Sequence, residues 1–125
     1  MIFIYGGAYQ GKLAYALDRF GLGEGDVYAC GEDTAMPHGK KLIYELDKWI
    51  LALIRAGADP EPEIREFIQR NGDAIVICND ITGGVVPVEA SLRAWREAAG
   101  KSMTELSRHA SEVVRLFCGV PTRIK

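Results

Sequence analysis

Met1-Ile2-Phe3-Ile4-Tyr5-Gly6-Gly7-Ala8-Tyr9-Gln10-Gly11-Lys12-Leu13 opens the chain, and its reading decides the fold. Ile2 to Tyr5 is a short, wholly apolar run, which suits a strand buried on both faces of a parallel sheet. Lys12 to Phe20 places Leu13, Ala16, Leu17 and Phe20 on one face at the helical period. Gly6 to Gly11 reads as the loop between them. Glycines let the backbone curl until successive N–H groups point at one anion. The N-terminus of the following helix adds about half a positive charge in the same direction. Gly6 to Lys12 fits the phosphate-loop pattern G-x-x-x-x-G-K in the strand–loop–helix setting that the pattern requires. The candidate phosphate contacts are Gly6, Gly7, Ala8, Tyr9, Gln10, Gly11, Lys12 and Leu13. Lys12 is the candidate catalytic cation, a mobile point charge for terminal phosphates. The pattern departs at its last position, where Leu13 replaces the Ser or Thr hydroxyl that meets Mg²⁺. A tight glycine turn with a solvated Lys12 is the plain alternative.

Working outward, Gly21, Gly23 and Gly25 end the first helix, and Val27 to Cys30 is a second short strand. Gly31 to Lys41 reads as loop. Leu42 to Ile54 reads as a helix, with Leu42, Leu46, Trp49, Ile50 and Leu53 at helical spacing, and a short strand at its start also fits. Pro62 suits the first turn of a helix running to about Asn71. Ala74 to Cys78 is the clearest buried strand. Asn79 to Val88 is a glycine-containing loop. Glu89 to Ala99 and Met103 to Ser111 read as two helices separated by Gly100. Glu112 to Cys118 is the last strand, and Gly119 to Lys125 fits either an edge hairpin or a tail. This alternation argues for one α/β domain over residues 1–125, with a mostly parallel sheet and helices on both faces.

The composition is that of a globular domain: 125 residues, 48% hydrophobic and 26% charged. A net charge of -2 offers no electrostatic footprint for nucleic acid or an anionic membrane. The start of the chain has no basic n-region or long apolar core, so no signal peptide is expected. Cys30, Cys78 and Cys118 lie too far apart in sequence for a zinc pattern and each ends an apolar run. They read as buried, reduced strand cysteines, which implies a cytoplasmic setting.

A second candidate site follows the clearest strand. Ligands of parallel sheets collect beyond the carboxyl ends of the strands, where Asn79 and Asp80 lie. Asp80 is the candidate catalytic acid and Mg²⁺ ligand, and Asn79 a candidate cofactor contact. An Asx turn before Gly83 explains Asn79-Asp80 equally well. Arg93 and Arg96, one turn apart on a helix, fit either a phosphate or a solvated face. His38 and His109 have no ligand-spaced neighbours.

The second half of the chain carries a more specific resemblance. Asn79-Asp80-Ile81-Thr82-Gly83-Gly84-Val85-Val86-Pro87 resembles the Asn-Glu-Val-Gly-x-Gly-Ile-Val-Pro signature of the CobU-type adenosylcobinamide kinase/adenosylcobinamide-phosphate guanylyltransferases. Arg93-Ala94-Trp95-Arg96-Glu97-Ala98-Ala99-Gly100 is similar to the family's Arg-x-aromatic-Arg-Asp-x-x-Gly helix. Glu112 to Lys125 is similar to its final strand and Gly-Ile-Pro…Lys ending, and Gly6 to Lys12 to its phosphate loop. The resemblance implies a RecA-like P-loop NTPase fold, a three-layer sandwich that binds GTP or ATP with Mg²⁺, acts on a corrinoid and assembles as a homo-oligomer, usually a trimer.

The departures are equally specific. The stretch that carries the family's guanylylated histidine is missing, and His38 lacks the basic motif beside it. Aligning Trp49 with the tryptophan of the family's Asp-Cys-Leu-Thr-Leu-Trp segment puts Tyr44 at the Walker B acid. The resulting expectation is a CobU-like nucleotide-binding protein of cobalamin biosynthesis with a reduced catalytic apparatus. A minimal active kinase/guanylyltransferase and a non-binding structural subunit are the alternatives.

Overall fold

A computed structural model describes all residues from Met1 to Lys125. The elements run β1 (Ile2–Gly6), α1 (Lys12–Phe20), β2 (Val27–Ala29), β3 (Leu42–Tyr44), α2 (Leu46–Arg55), α3 (Pro60–Arg70), β4 (Ile75–Asn79), α4 (Ala90–His109), β5 (Glu112–Phe117) and β6 (Val120–Arg123). They form one six-stranded sheet in the order β2-β3-β4-β1-β5-β6. Every pairing is parallel except β5 with β6. β4 therefore stands between the phosphate-loop strand β1 and β3, and the order is that of a RecA-like P-loop domain.

The two-residue strand period divides the core between the sheet's faces. Phe3, Ile43, Val76, Cys78 and Val113 pack with Leu46, Trp49, Ile50, Leu53, Ile64, Phe67 and Leu106 of α2, α3 and α4. Ile4, Leu42, Ile75, Ile77, Val114 and Leu116 pack on the opposite face with Ala16 of α1. This is a three-layer sandwich with one helix on one side and three on the other. Both sides of β1 and β4 are covered, which is why their sequences are continuously apolar. No helix is long and apolar enough to cross a membrane.

Four sequence expectations are corrected. The helix expected over Leu42–Ile54 is the strand β3 followed, after Glu45, by α2. Glu45 adopts a left-handed conformation (φ 56°) that no helix interior allows, and it separates the two elements. The helices expected on either side of Gly100 are one, α4. Glycine weakens a helix by about 1 kcal/mol without breaking it, and here a Cβ would lie 3.4 Å from Thr82 Cγ2. Next, Pro62 lies in the first turn of α3 as expected, but the turn expected over Gly57 to Pro62 ends early and the helix starts at Pro60, because the Asp59 side chain caps it by accepting from the Glu61 N–H at 3.1 Å. Cys118 is exposed, because the chain turns there into the β6 hairpin. Cys30 and Cys78 are buried as expected.

The loop between β2 and β3 has no regular structure, yet side chains hold it. Trp49 Nε1 donates to Thr34 O at 3.1 Å and Asn71 Nδ2 to Pro37 O at 3.2 Å. Trp49 lies on α2 and Asn71 caps the end of α3, so the loop is tied to the three-helix face beneath it.

Candidate functional site

The carboxyl ends of β1, β3 and β4 open into a cleft of about 740 Å³. Residues 8–14 form one wall. Tyr44, Glu45, Asp47 and Lys48 form a second, and Asn79, Asp80 and Ile81 a third, with Trp95 of α4 between them. The two candidate regions, far apart in sequence, thus meet in one site.

The phosphate loop has the backbone its residue types predict. Gly6 leaves β1 with φ 155° and packs so closely on β5 that a Cβ would fall 2.4 Å from the Leu116 carbonyl oxygen. Gly11 is left-handed (φ 86°) and begins α1 with no side-chain cap. The first N–H groups of α1 consequently have no side-chain acceptor, which is the arrangement that receives an anion. The Lys12 ammonium donates to Gly7 O at 2.5 Å. Lys12 is only 4% exposed, so the alternative of a solvated lysine fails. Burial lowers its pKa, opposed by the nearby Asp47, Cys78 and Glu45 in that order.

Gln10 faces elsewhere. Its side-chain oxygen accepts from the Cys118 N–H and its carbonyl from Gly119 N at 3.0 Å, so it fastens the loop to the β5–β6 turn. Ala8 and Tyr9 are exposed. Leu13 borders the cleft but packs with the α1-side core, bringing no oxygen to it.

At the β4 wall, the Asx-turn reading of Asp80 is the one observed. Its Oδ1 accepts from Thr82 N at 3.0 Å and Thr82 Oγ1 at 2.6 Å, which is an Asx turn. Its own N–H donates to Gly6 O at 2.8 Å, which locks it beside the loop. The turn leaves Oδ2 without a hydrogen bond. Arg93 and Arg96 are no part of the cleft lining. Both hold the loop after β4 by its carbonyls: Arg93 meets Pro87 O and Val88 O, and Arg96 Nε meets Thr82 O at 2.8 Å. His38 and His109 are exposed and lie outside the cleft.

Sequence reasoning missed Glu45, Asp47, Lys48 and Trp95. The shift is a single residue at the critical point: Tyr44 ends β3, and the acid Glu45 directly follows it. Reading the segment as one helix hid this, because an acid in a helix carries no strand-end signal. Glu45 Oε1 accepts from Lys48 Nζ at 3.1 Å and Oε2 from Asn79 Nδ2 at 3.1 Å. Asp47 is 3% exposed, and its carboxylate accepts from Asn79 N at 2.9 Å and Nδ2 at 3.3 Å. Desolvation raises the Asp47 pKa, partly offset by these bonds from Asn79. No group of three or more His, Cys, Asp and Glu side chains is arranged to hold a metal unaided. Two carboxylates beside a phosphate nest still fit the way Mg²⁺ is usually bound, through one or two acids together with substrate phosphates and waters. The buried thiols serve packing: desolvation pushes Cys30 up to about 12 and raises Cys78 as well.

A family model described as cobinamide kinase / cobinamide phosphate guanyltransferase (CobU) matches residues 40–124. The matched span carries Glu45, Asp47, Asn79 and Asp80, and the phosphate loop precedes it. No curated protein matches the chain.

Proposed function

Since more than half of its length matches that model, the chain belongs to the cobinamide kinase / cobinamide phosphate guanylyltransferase family, and on that premise we propose that it binds GTP or ATP by its phosphates in the cleft at Gly6–Lys12. The carrying observation is the uncapped, left-handed start of α1 beside a buried Lys12. That combination presents backbone N–H groups and a fixed cation to the same anion. The Gly11 conformation permits the curl, and the Gly6–Leu116 contact sets its depth.

Chain residues divide the work as follows. Backbone N–H groups at the start of α1 bind phosphate oxygens. Lys12 exchanges its bond to Gly7 O for the terminal phosphates. Asp80 Oδ2 and Glu45 would hold Mg²⁺, which neutralises phosphate charge when bound. With Leu13 in place of the hydroxyl, the ion has fewer protein ligands, so nucleotide binding with slow or no turnover is the primary reading. Glu45 in the cleft favours a second reading, an active kinase acting on the hydroxyl of a corrinoid acceptor.

Calorimetric titration with GTP and ATP, each with and without Mg²⁺, tests both. Binding in the micromolar to sub-millimolar range is expected, and Lys12→Met should weaken it by at least about tenfold. Unchanged affinity in Lys12→Met would refute the phosphate-loop assignment. Mg²⁺-strengthened binding with phosphate transfer to cobinamide would promote the second reading. Absence of binding by either nucleotide at millimolar concentration would leave a structural subunit.

A further inference from the structure

Asp47 stands at the second position of α2, where a helix N-terminus favours a carboxylate, yet it does not face water. Burying a carboxylate costs several kcal/mol unless its surroundings compensate. Here Asn79 of β4 compensates by donating to both carboxylate oxygens, and the Trp95 indole of α4 holds the Asp47 backbone by donating to its peptide oxygen at 2.7 Å. Lys12 of α1 is buried in the same cleft. The other titratable groups around this cluster are Glu45 and Lys48 beside α2, Cys78 and Asp80 on the β4 side, and Cys30 after β2. The Asp47 carboxylate and the Lys12 ammonium make no direct ion pair, and the ammonium bonds Gly7 O instead.

We propose that Asp47 is a positioning residue of this cleft: its buried carboxylate fixes the Asn79–Asp80 end of β4. The clamp on Asn79 is a property of the free protein. Its value for phosphate recognition rests on the nucleotide reading above. Through Asn79 Nδ2, shared with Glu45 Oε2, the same clamp also orients the second acid of the cleft.

The test uses two variants and a readout without ligand. Asp47→Asn keeps an acceptor for the Asn79 N–H and loses the one for Asn79 Nδ2, and Asp47→Ala removes both. Amide exchange follows Asn79 and Asp80, and titration with ATP and with inorganic tripolyphosphate follows binding. Relative to the rest of β4, the Asn79 and Asp80 amides should exchange at least about tenfold faster in Asp47→Ala and at least about threefold faster in Asp47→Asn. Exchange that accelerates uniformly, or not at all, overturns the clamp, even if both variants melt earlier. If wild-type protein binds neither ATP nor tripolyphosphate, the nucleotide reading fails while the exchange measurement still decides the role of Asp47. Should Asp47→Ala not fold, the exchange of Asp47→Asn carries the decision.

Discussion

Gly6→Ala tests the site at the point where the sheet and the phosphate loop touch. A Cβ at residue 6 would lie 2.4 Å from the Leu116 carbonyl oxygen. An ordinary carbon–oxygen contact is about 3.3 Å, so β1 and β5 would have to part by about 0.9 Å at this point. The obstructing atom is backbone in a paired strand and cannot rotate away. Overpacking of this kind costs about 1–3 kcal/mol, and a positive φ of 155° adds strain of about 1 kcal/mol. The smaller conformational freedom of unfolded alanine returns about 0.4–1 kcal/mol. The net loss is about 1–3.6 kcal/mol, which for a domain of this size lowers the melting temperature by about 4–14 °C. Calorimetric melting measures it, with Gly25→Ala as the control because a Cβ there meets nothing within 4 Å. The loop begins at the displaced residue, so nucleotide affinity should fall in the same variant by about tenfold or more. If Gly6→Ala melts within about 2 °C of wild type, the tight β1–β5 approach does not set the loop, and the reasoning fails.

Leu13→Ser should lower stability by about 1–2 kcal/mol, because Leu13 packs with the α1-side core. It should also strengthen Mg²⁺-dependent nucleotide binding by about threefold or more, read by titration with and without the metal. No gain would mean that more than the hydroxyl is missing from the metal site. Glu112→Gln addresses the tie between α1 and β5. Arg19 grips the Glu112 carboxylate with both guanidinium nitrogens, one of them at 2.8 Å, and its hydrogen bonds hold the carboxyl below its ordinary value of 4.5. A depressed carboxyl contributes stability above its unfolded value and loses it as pH falls through the folded one. Wild type should exceed the variant by about 0.5–1 kcal/mol at neutral pH, a modest figure because the pair is partly exposed. Denaturant melts should show this advantage fade only on the acid side of 4.5. An advantage that persists unchanged in strong acid would show that the pair is not its source.

Much of the site is built from contacts that leave no mark on neighbouring residues. Lys12 is legible as the cation of the phosphate-loop pattern, but its burial is not: the walls formed by Glu45–Asp47 and Asn79 cover it. Asp47 has no local signal at all: an acid in the first turn of a helix is ordinary, and only the arrival of β4 turns it into a buried acceptor for Asn79. Gln10 sits inside the phosphate-loop pattern, but its side chain serves the β5–β6 turn, a partner beyond residue 115. Arg93 and Arg96 match a family helix in spacing, and what they hold is the carbonyl chain of the preceding loop.

The sequence by itself determined the fold class, the phosphate-loop position and the order of nearly all elements. Those features rest on interactions within about a dozen residues: apolar period, glycine conformation and capping. It also determined that Leu13 brings no oxygen to the cleft. Only the tertiary structure decided which acids stand there, because β3 ends one residue before Glu45 and β4 threads between β1 and β3. Strand order is set by packing both sheet faces at once, a sum over distant side chains that no local pattern contains. Glu45, Asp47 and Asp80 therefore become neighbours of Lys12 only when the sheet closes.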